Sequence, residues 1–306
     1  VTSATPNSDS PSSSASSSAS TAAPRTQHRP RKPQINLVVR QRLQLSASMV
    51  RVVADIQDPS QFQDIEPPEK YVKLVFFDPA LDLGPHPDYW ELKESLPPEQ
   101  QPVTRHMTLR KVDLERGSVW IDVATHGQVG FAGPWAMQAQ PGDTIVAVGP
   151  GGKWVPDPQA SWSLFLGDDA AIPAIAANLE TLPDDAQGVV LLEVEGPEDQ
   201  MDLPVPSGMT LRWCHRRDQA PGTHALVEAA EAVEWPTSTE GVQAFAHGER
   251  EAMKLLRPII FGGSTGSTDP QGRGLTKEQV SISGYWARGR TEEVFQAEKR
   301  TPIGQV

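Results

Sequence analysis

Arg105-His106-Met107-Thr108, followed along the chain by His126-Gly127 and by Gly130-Phe131-Ala132-Gly133-Pro134-Trp135, groups residue types that can hold an anion. A guanidinium is a planar fork of donors suited to phosphate oxygens. Small residues before a proline that opens a helix leave backbone N–H groups free to reach the same oxygens. On a strand, Arg105 and Met107 share one face, while His106 and Thr108 share the other. Together these parts can hold a pyrophosphate. The local pattern alone also describes a solvated arginine and an ordinary glycine turn. A second set of polar clusters, Gly167-Asp168-Asp169, His215-Arg216-Arg217 and His247-Gly248-Glu249, ends three apolar runs. In parallel sheets, ligands are received at such strand ends. The seven histidines form no H-x-x-x-H pair and there is one cysteine, so no resident metal site is expected.

The elements that must position these residues change character midway. Residues 35–45, 49–56, 71–77, 118–125 and 144–148 read as short strands, as does the run around Arg105. Residues 63–68 read as a turn and residues 78–102, rich in Pro, Asp and Glu, as a long loop. Many short strands with turn signals between them predict an antiparallel β-barrel over residues 35–155. Gly149-Pro150-Gly151-Gly152 lacks the lysine of a phosphate loop and reads as a plain turn, with residues 153–159 as a connection. Strands at 162–166, 188–194, 210–214, 242–246 and 279–286 then alternate with helices at 170–179, 223–233 and 250–260. That alternation predicts an α/β domain with a mostly parallel sheet over residues 160–306, ending in a C-terminal tail. Residues 1–34, dominated by Ser, Ala, Thr and Pro, read as a disordered leader. Residues 262–274 read as a flexible Gly/Ser-rich loop, either a lid or a passive insertion.

Composition removes several functions. The 306 residues suffice for two domains and carry a formal charge of −12, which argues against a nucleic-acid binder. Cys214 has no partner for a disulfide within the chain and reads as an inert core thiol. No apolar run reaches the length of a membrane span, and the N-terminus lacks the apolar core of a secretory signal. A cytoplasmic monomer without membrane insertion is expected.

The stretch from Arg105 to Ala136 resembles the flavin-binding motif of the siderophore-interacting proteins, ferric-siderophore reductases related to ferredoxin–NADP reductases. Arg105, Thr108 and Arg110 match that family's R-x-Y-T-x-R, Asp122, His126 and Gly127 its D-x-x-x-H-G, and Gly130, Ala132 and Trp135 its G-P-A-S-x-W. Later, Gly167 to Ala174 (GDDAAIPA) is similar to G-D-E-T-A-L-P-A, His247-Gly248-Glu249 to A-G-E, and Gly284-Tyr285-Trp286-Ala287-Arg288-Gly289 to GYWRxG. Met107 stands in place of the family's tyrosine, Phe131 of a proline, Gly133 of a serine and Asp169 of a glutamate. The resemblance runs from about residue 35 to the C-terminus.

The resemblance implies FAD on the barrel, against Arg105, His106, Met107, Thr108, Asp122, Ala124, His126, Gly127, Gly130, Ala132, Gly133 and Trp135. It implies a nicotinamide dinucleotide, NADPH or NADH, on the second domain against Gly167, Asp168, Asp169, Ala170, Arg216, Arg217, Gly248 and Glu249. It implies a ferric siderophore as substrate. Arg51, Tyr285, Trp286, Arg288, Arg290 and Lys299 are its candidate contacts, since many such chelates are anionic. No side chain is expected to be catalytic, because the flavin carries the chemistry. Local readings compete at several positions. His126 bonds the flavin or caps its loop; Asp122 contacts the cofactor or is a satisfied turn acid; Trp135 packs under the loop. Arg216-Arg217 receives a 2′-phosphate, which favours NADPH, or is a solvated basic turn. Tyr285 and Trp286 approach the site or form a buried edge-strand pair. Two other functions stay open: a flavin or ferredoxin-coupled reductase of the same superfamily, and a non-catalytic siderophore- or flavin-binding protein.

Overall fold

Six strands whose side chains alternate between core and solvent close on themselves. They are β1 (Gln34–Gln44), β2 (Met49–Ile56), β3 (Tyr71–Phe76), β4 (Val103–Asp113), β5 (Ser118–Ala124) and β6 (Thr144–Gly151). They pair antiparallel in the order β1-β2-β5-β4-β3-β6, and β6 returns to β1. The inward set, including Ile35, Leu37, Val50, Val52, Leu74, Leu109, Ile121 and Ala147, fills the interior. Closure leaves no free sheet edge. Helix α2 (Ala132–Gln138) packs Ala132 and Ala136 into the same core. The computed structural model describes residues 31–62, 66–219, 223–262 and 275–306. Most of the leader, part of the 63–68 turn and all but Gly262 of the 262–274 loop lie outside the described residues.

Two expectations in this half are corrected. Residues 78–102 are not a plain loop, because they contain helix α1 (Tyr89–Ser95). Asp88 caps it by accepting the Glu91 N–H at 2.9 Å, and Tyr89 packs with Val75, Val146 and Val148 on the outside of the barrel. The Asp-Tyr-Trp-Glu spacing is a helix-start signal that the surrounding prolines obscure. Residues 149–151 are not a turn either, since β6 continues to Gly151, opposite Tyr71. A side chain at Gly151 would meet the Tyr71 ring and the Lys32 amine, so only glycine lets these close over the strand.

The second half is a five-stranded, wholly parallel sheet. It contains β7 (Trp162–Asp168), β8 (Gly188–Val194), β9 (Met209–His215), β10 (Val242–Glu249) and β11 (Val280–Trp286), in the order β11-β10-β7-β8-β9. Leu164, Leu191 and Ala244 meet helices α4 (Ala225–Glu231) and α5 (Arg250–Phe261) on one face. Phe165, Val190, Leu192 and Phe245 meet helix α3 (Ile172–Leu179) on the other. Strands buried on both faces read as apolar runs, as found here. A last helix, α6 (Glu292–Glu298), follows β11. The chain winds outward through β7, β8 and β9, then crosses back to lay β10 beside β7. The carboxyl ends of β7 and β10 therefore flank the switch point, where such sheets bind ligands. Residues 32–306 form one unit, so the barrel and the sheet share a junction. Among the described residues, no helix is long and apolar enough to cross a membrane.

Candidate functional site

Strand β4 is the barrel's contribution to the junction. Leu109 is buried in the barrel core and Met107 packs against it, so Arg105, on the same face, stands at the mouth. Its guanidinium lies over the Phe131 ring at 5.0 Å and donates to Glu293 of α6 at 2.7 Å. The opposite face of β4 carries His106, Thr108 and Arg110, and each contacts the second half of the chain. His106 Nδ1 is 2.9 Å from Glu292 of α6. Thr108 lies close enough to the Tyr285 phenol to act on it. Arg110 donates two bonds to Glu180, just after α3, at 2.9 and 2.8 Å.

The loop ahead of α2 is open. Gly127 and Gly130 both have positive φ, 69° and 83°, and a Cβ at either would meet nothing within 4 Å. Val129 and Phe131 expose their apolar side chains beside them. Trp135 is turned under the loop, edge-on to Phe76, and packs on the barrel core. An arginine whose present partner is a carboxylate, next to an open glycine backbone and exposed apolar groups, fits a ligand with phosphates and a flat aromatic part. FAD is such a ligand, and the residues present fit it.

Opposite lies the switch point. Asp168, 3% exposed, fills the crevice: its Oδ2 accepts the Glu249 N–H at 2.8 Å and Trp286 Nε1 at 2.7 Å, and its Oδ1 accepts Ala170 N–H at 3.0 Å. Gly248 is required there, because a Cβ would strike the Asp168 carboxylate at 2.7 Å. Burial, and then the neighbouring Asp169, push the Asp168 carboxyl up to about 7 against the donors that Trp286 and Glu249 supply. A carboxyl whose folded pKa is raised stabilises the fold fully below its ordinary 3.8, and that contribution fades as pH climbs to about 7. Asp168→Asn is therefore expected to flatten the fall in stability between pH 4 and 7 by roughly 3 kcal/mol. Thermal unfolding of both proteins across that range measures it; parallel pH profiles would contradict it.

His247 is stacked on Phe245 at 3.9 Å and meets Tyr285 edge-on at 4.8 Å. Burial, and then Lys299, lower its pKa to about 3, so the ring is neutral, and Nε2 pairs with the Ser281 hydroxyl at 2.9 Å. Burial, and then Glu69, hold the Tyr285 phenol well above its usual range, so it stays protonated. These groups form a neutral aromatic wall facing β4.

The structure brings Arg105, His106, Thr108, Asp168, Tyr285 and Trp286 to one junction, with His126 near Asp169, whose carboxyl burial raises above its usual range. Other candidates are held elsewhere. Arg51 makes a two-pronged pair with Asp122 at 2.6 and 2.7 Å and stacks on Trp120. Arg290 donates to Glu298, while the Arg288 N–H donates to Glu249 and its side chain is exposed. Lys299 lies over Phe295. Arg216 pairs with Asp169 at 2.5 Å, and Arg217 pairs with Glu198. Cys214 is buried, and burial raises its thiol to about 11, so it stays protonated. Sequence reasoning missed Glu180, Glu292 and Glu293. The Thr291 cap that opens α6 is readable, but nothing local says which barrel residues α6 meets.

Residues 38–154 match the family described as the siderophore-interacting FAD-binding domain, and residues 160–289 match that described as siderophore-interacting protein. A protein of Mycobacterium tuberculosis is 41% identical over 273 residues, 84% of this chain and 91% of its own. The chain belongs to the siderophore-interacting protein family. Ferric vibriobactin reductase ViuB of Vibrio cholerae is 34% identical to this siderophore-interacting protein over 211 residues, 68% of this chain and 73% of that one. The crystal structure of the siderophore-interacting protein SipS from Aeromonas hydrophila superposes with a TM-score of 0.69 at 27% identity, covering 89% of this chain and 98% of that one. The barrel of this siderophore-interacting protein is the FAD-binding domain of the family.

Proposed function

We propose that this protein is an FAD-dependent ferric-siderophore reductase that passes electrons from NAD(P)H to chelated Fe(III) and releases Fe(II). The observation that carries the reading is Arg105 at the barrel mouth, beside the open Gly127–Gly130 backbone and one strand face away from Tyr285. The ferric vibriobactin reductase relative supports the substrate class. The reading places the reaction in the cytoplasm, where reduced nicotinamide dinucleotides are at hand.

Arg105 and the loop amides would receive the FAD pyrophosphate, with Phe131 flanking it. Met107 would offer its sulfur to the ring system, a favourable contact for an aromatic face. Thr108, beside the neutral Tyr285 phenol, would present a hydroxyl at the ring edge. Trp286, pinned by Asp168, fixes the strand end behind Tyr285. When bound, the flavin takes two electrons from a hydride and gives them up singly, which matches a nicotinamide donor to one-electron Fe(III). The exposed Arg288 and the Lys299 amine give the entrance positive charge for an anionic chelate, in a chain that is acidic overall. Lower charge on the iron weakens its hard-oxygen bonds.

The test is steady-state trapping of Fe(II) from a ferric catecholate, with FAD or the dinucleotide omitted in turn. Fe(II) that needs both supports the proposal. Fe(II) formation independent of FAD would reject it.

A further inference from the structure

We infer that the α/β domain selects a dinucleotide with a free adenosine 2′-hydroxyl, NADH, over one carrying a 2′-phosphate, and that Glu195 is the discriminating residue. The inference rests on the reading above that a nicotinamide dinucleotide is received at the carboxyl ends of the parallel strands. In a first strand–helix–strand unit, here β7–α3–β8, the adenosine ribose lies beyond the end of the second strand; an acid there accepts from the 2′-hydroxyl, whereas a nearby arginine takes a 2′-phosphate.

Two arginines stand at this place, and neither is free. Strand register sets Glu193 of β8 between Asp168 of β7 and Cys214 of β9, two residues before Arg216. Arg216 faces three carboxylates: Asp169 at 2.5 Å, Glu193 at 3.4 Å and Glu195 at 3.5 Å. Arg217 lies across Gly196 and pairs with Glu198. Four carboxylates thus surround two guanidiniums. Buried Asp199 and exposed Asp218, which sits 3.6 Å from His215 Nδ1, add further negative charge, and Arg212 points out from the middle of β9. A 2′-phosphate would bring a doubly negative group into a field that is already negative.

Glu195 differs from its neighbours. Glu193 is committed at both oxygens, to Arg216 and to the Leu226 N–H at 2.9 Å, which anchors the start of α4. Glu195 immediately follows β8, its side chain is 54% exposed, and its contact with Arg216 is a long one. It is the most exposed of the four carboxylates and the one held most weakly, so it can turn to accept a ribose hydroxyl.

The experiment uses the full chain loaded with FAD and measures anaerobic flavin bleaching by NADH and by NADPH. Wild type is expected to favour NADH in the second-order rate of bleaching, the limiting rate over Kd, by about tenfold or more. Glu195→Gln should shrink that ratio severalfold through a lower Kd for NADPH, with the limiting bleaching rate unchanged. Glu195→Lys should bring the ratio to unity or invert it. Glu231→Gln, on the exposed side of α4, should leave it unmoved. Preference for NADPH in wild type, or a ratio that neither Glu195 variant moves, overturns the inference while leaving the reductase reading intact. A flavin that neither dinucleotide bleaches overturns both.

Discussion

Arg105→Ala is expected to weaken FAD binding by about 30- to 150-fold, the equivalent of roughly 2–3 kcal/mol for charge-assisted hydrogen bonds to a phosphate. The fold should survive, because Arg105 sits at the barrel mouth and its present partner, Glu293, is 59% exposed and will be solvated when released. Glu293→Gln should act in the opposite direction. The guanidinium that would meet the phosphate also donates to the Glu293 carboxylate, so the two acceptors would compete for it. An exposed ion pair is worth little, so the gain should be small, about two- to fivefold tighter binding. Flavin fluorescence quenching on titration measures both. Equal affinity in wild type and Arg105→Ala would remove the phosphate role. Looser binding in Glu293→Gln would mean that α6 helps to hold FAD rather than competing with it.

Breaking the Arg110–Glu180 pair is expected to loosen the two halves of the molecule. Arg110 is 6% exposed and Glu180 36%, so the pair lies between a surface bridge and a buried one. Two parallel bonds with one partner buried argue for a coupling of roughly 1.5–3 kcal/mol, above the exposed range and below the cost of stranding a fully buried charge. A double-mutant cycle with Arg110→Ala and Glu180→Ala measures it in chemical unfolding. Because Arg110 is the largest cause of the lowered Glu180 pKa, this stabilisation is present above the ordinary glutamate range and is lost as pH falls through the folded-state pKa. That dependence has the opposite sign to that of Asp168. Flavin reduction by the dinucleotide should slow in each single variant while FAD affinity holds, since Arg110 sets how the junction closes rather than what the barrel binds. A coupling near zero would leave Arg110 as a packing residue only.

These two arginines show what a linear reading of the chain can and cannot reach. Both stand in one short motif, and the motif is legible: an arginine on one strand face, a hydroxyl and a second arginine on the other, then glycines ahead of a helix. The two architectures were legible for a similar reason, since short alternating strands and β/α alternation each have a period that burial enforces. Partners are another matter. Glu293 lies 188 residues from Arg105 and Glu180 lies 70 from Arg110, so the distinction between a phosphate site and an interdomain clamp is made only by the fold. The same holds for Arg216, whose sequence context favours a phosphate and whose three carboxylate neighbours come from the turn after β7, from β8 and from the turn after β8. Helix α1 was hidden for a local reason. Its capping aspartate and its two aromatic anchors sit in a stretch whose prolines and acids resemble a loop. Gly151 was misread because a glycine cluster looks like a turn unless the ring that packs on it is known.

On the proposed reading, a flavin held by the barrel feeds electrons one at a time to chelated iron. The most direct measurement is anaerobic. The FAD-loaded protein is reduced with one equivalent of NADH, a ferric catecholate siderophore is added, and Fe(II) is counted with a ferrous chelator as the flavin absorbance returns. Two Fe(II) are expected for each flavin reoxidised, at a rate that rises with chelate concentration. A reduced flavin that stays bleached in the presence of the ferric chelate, and recovers only with oxygen, would contradict it.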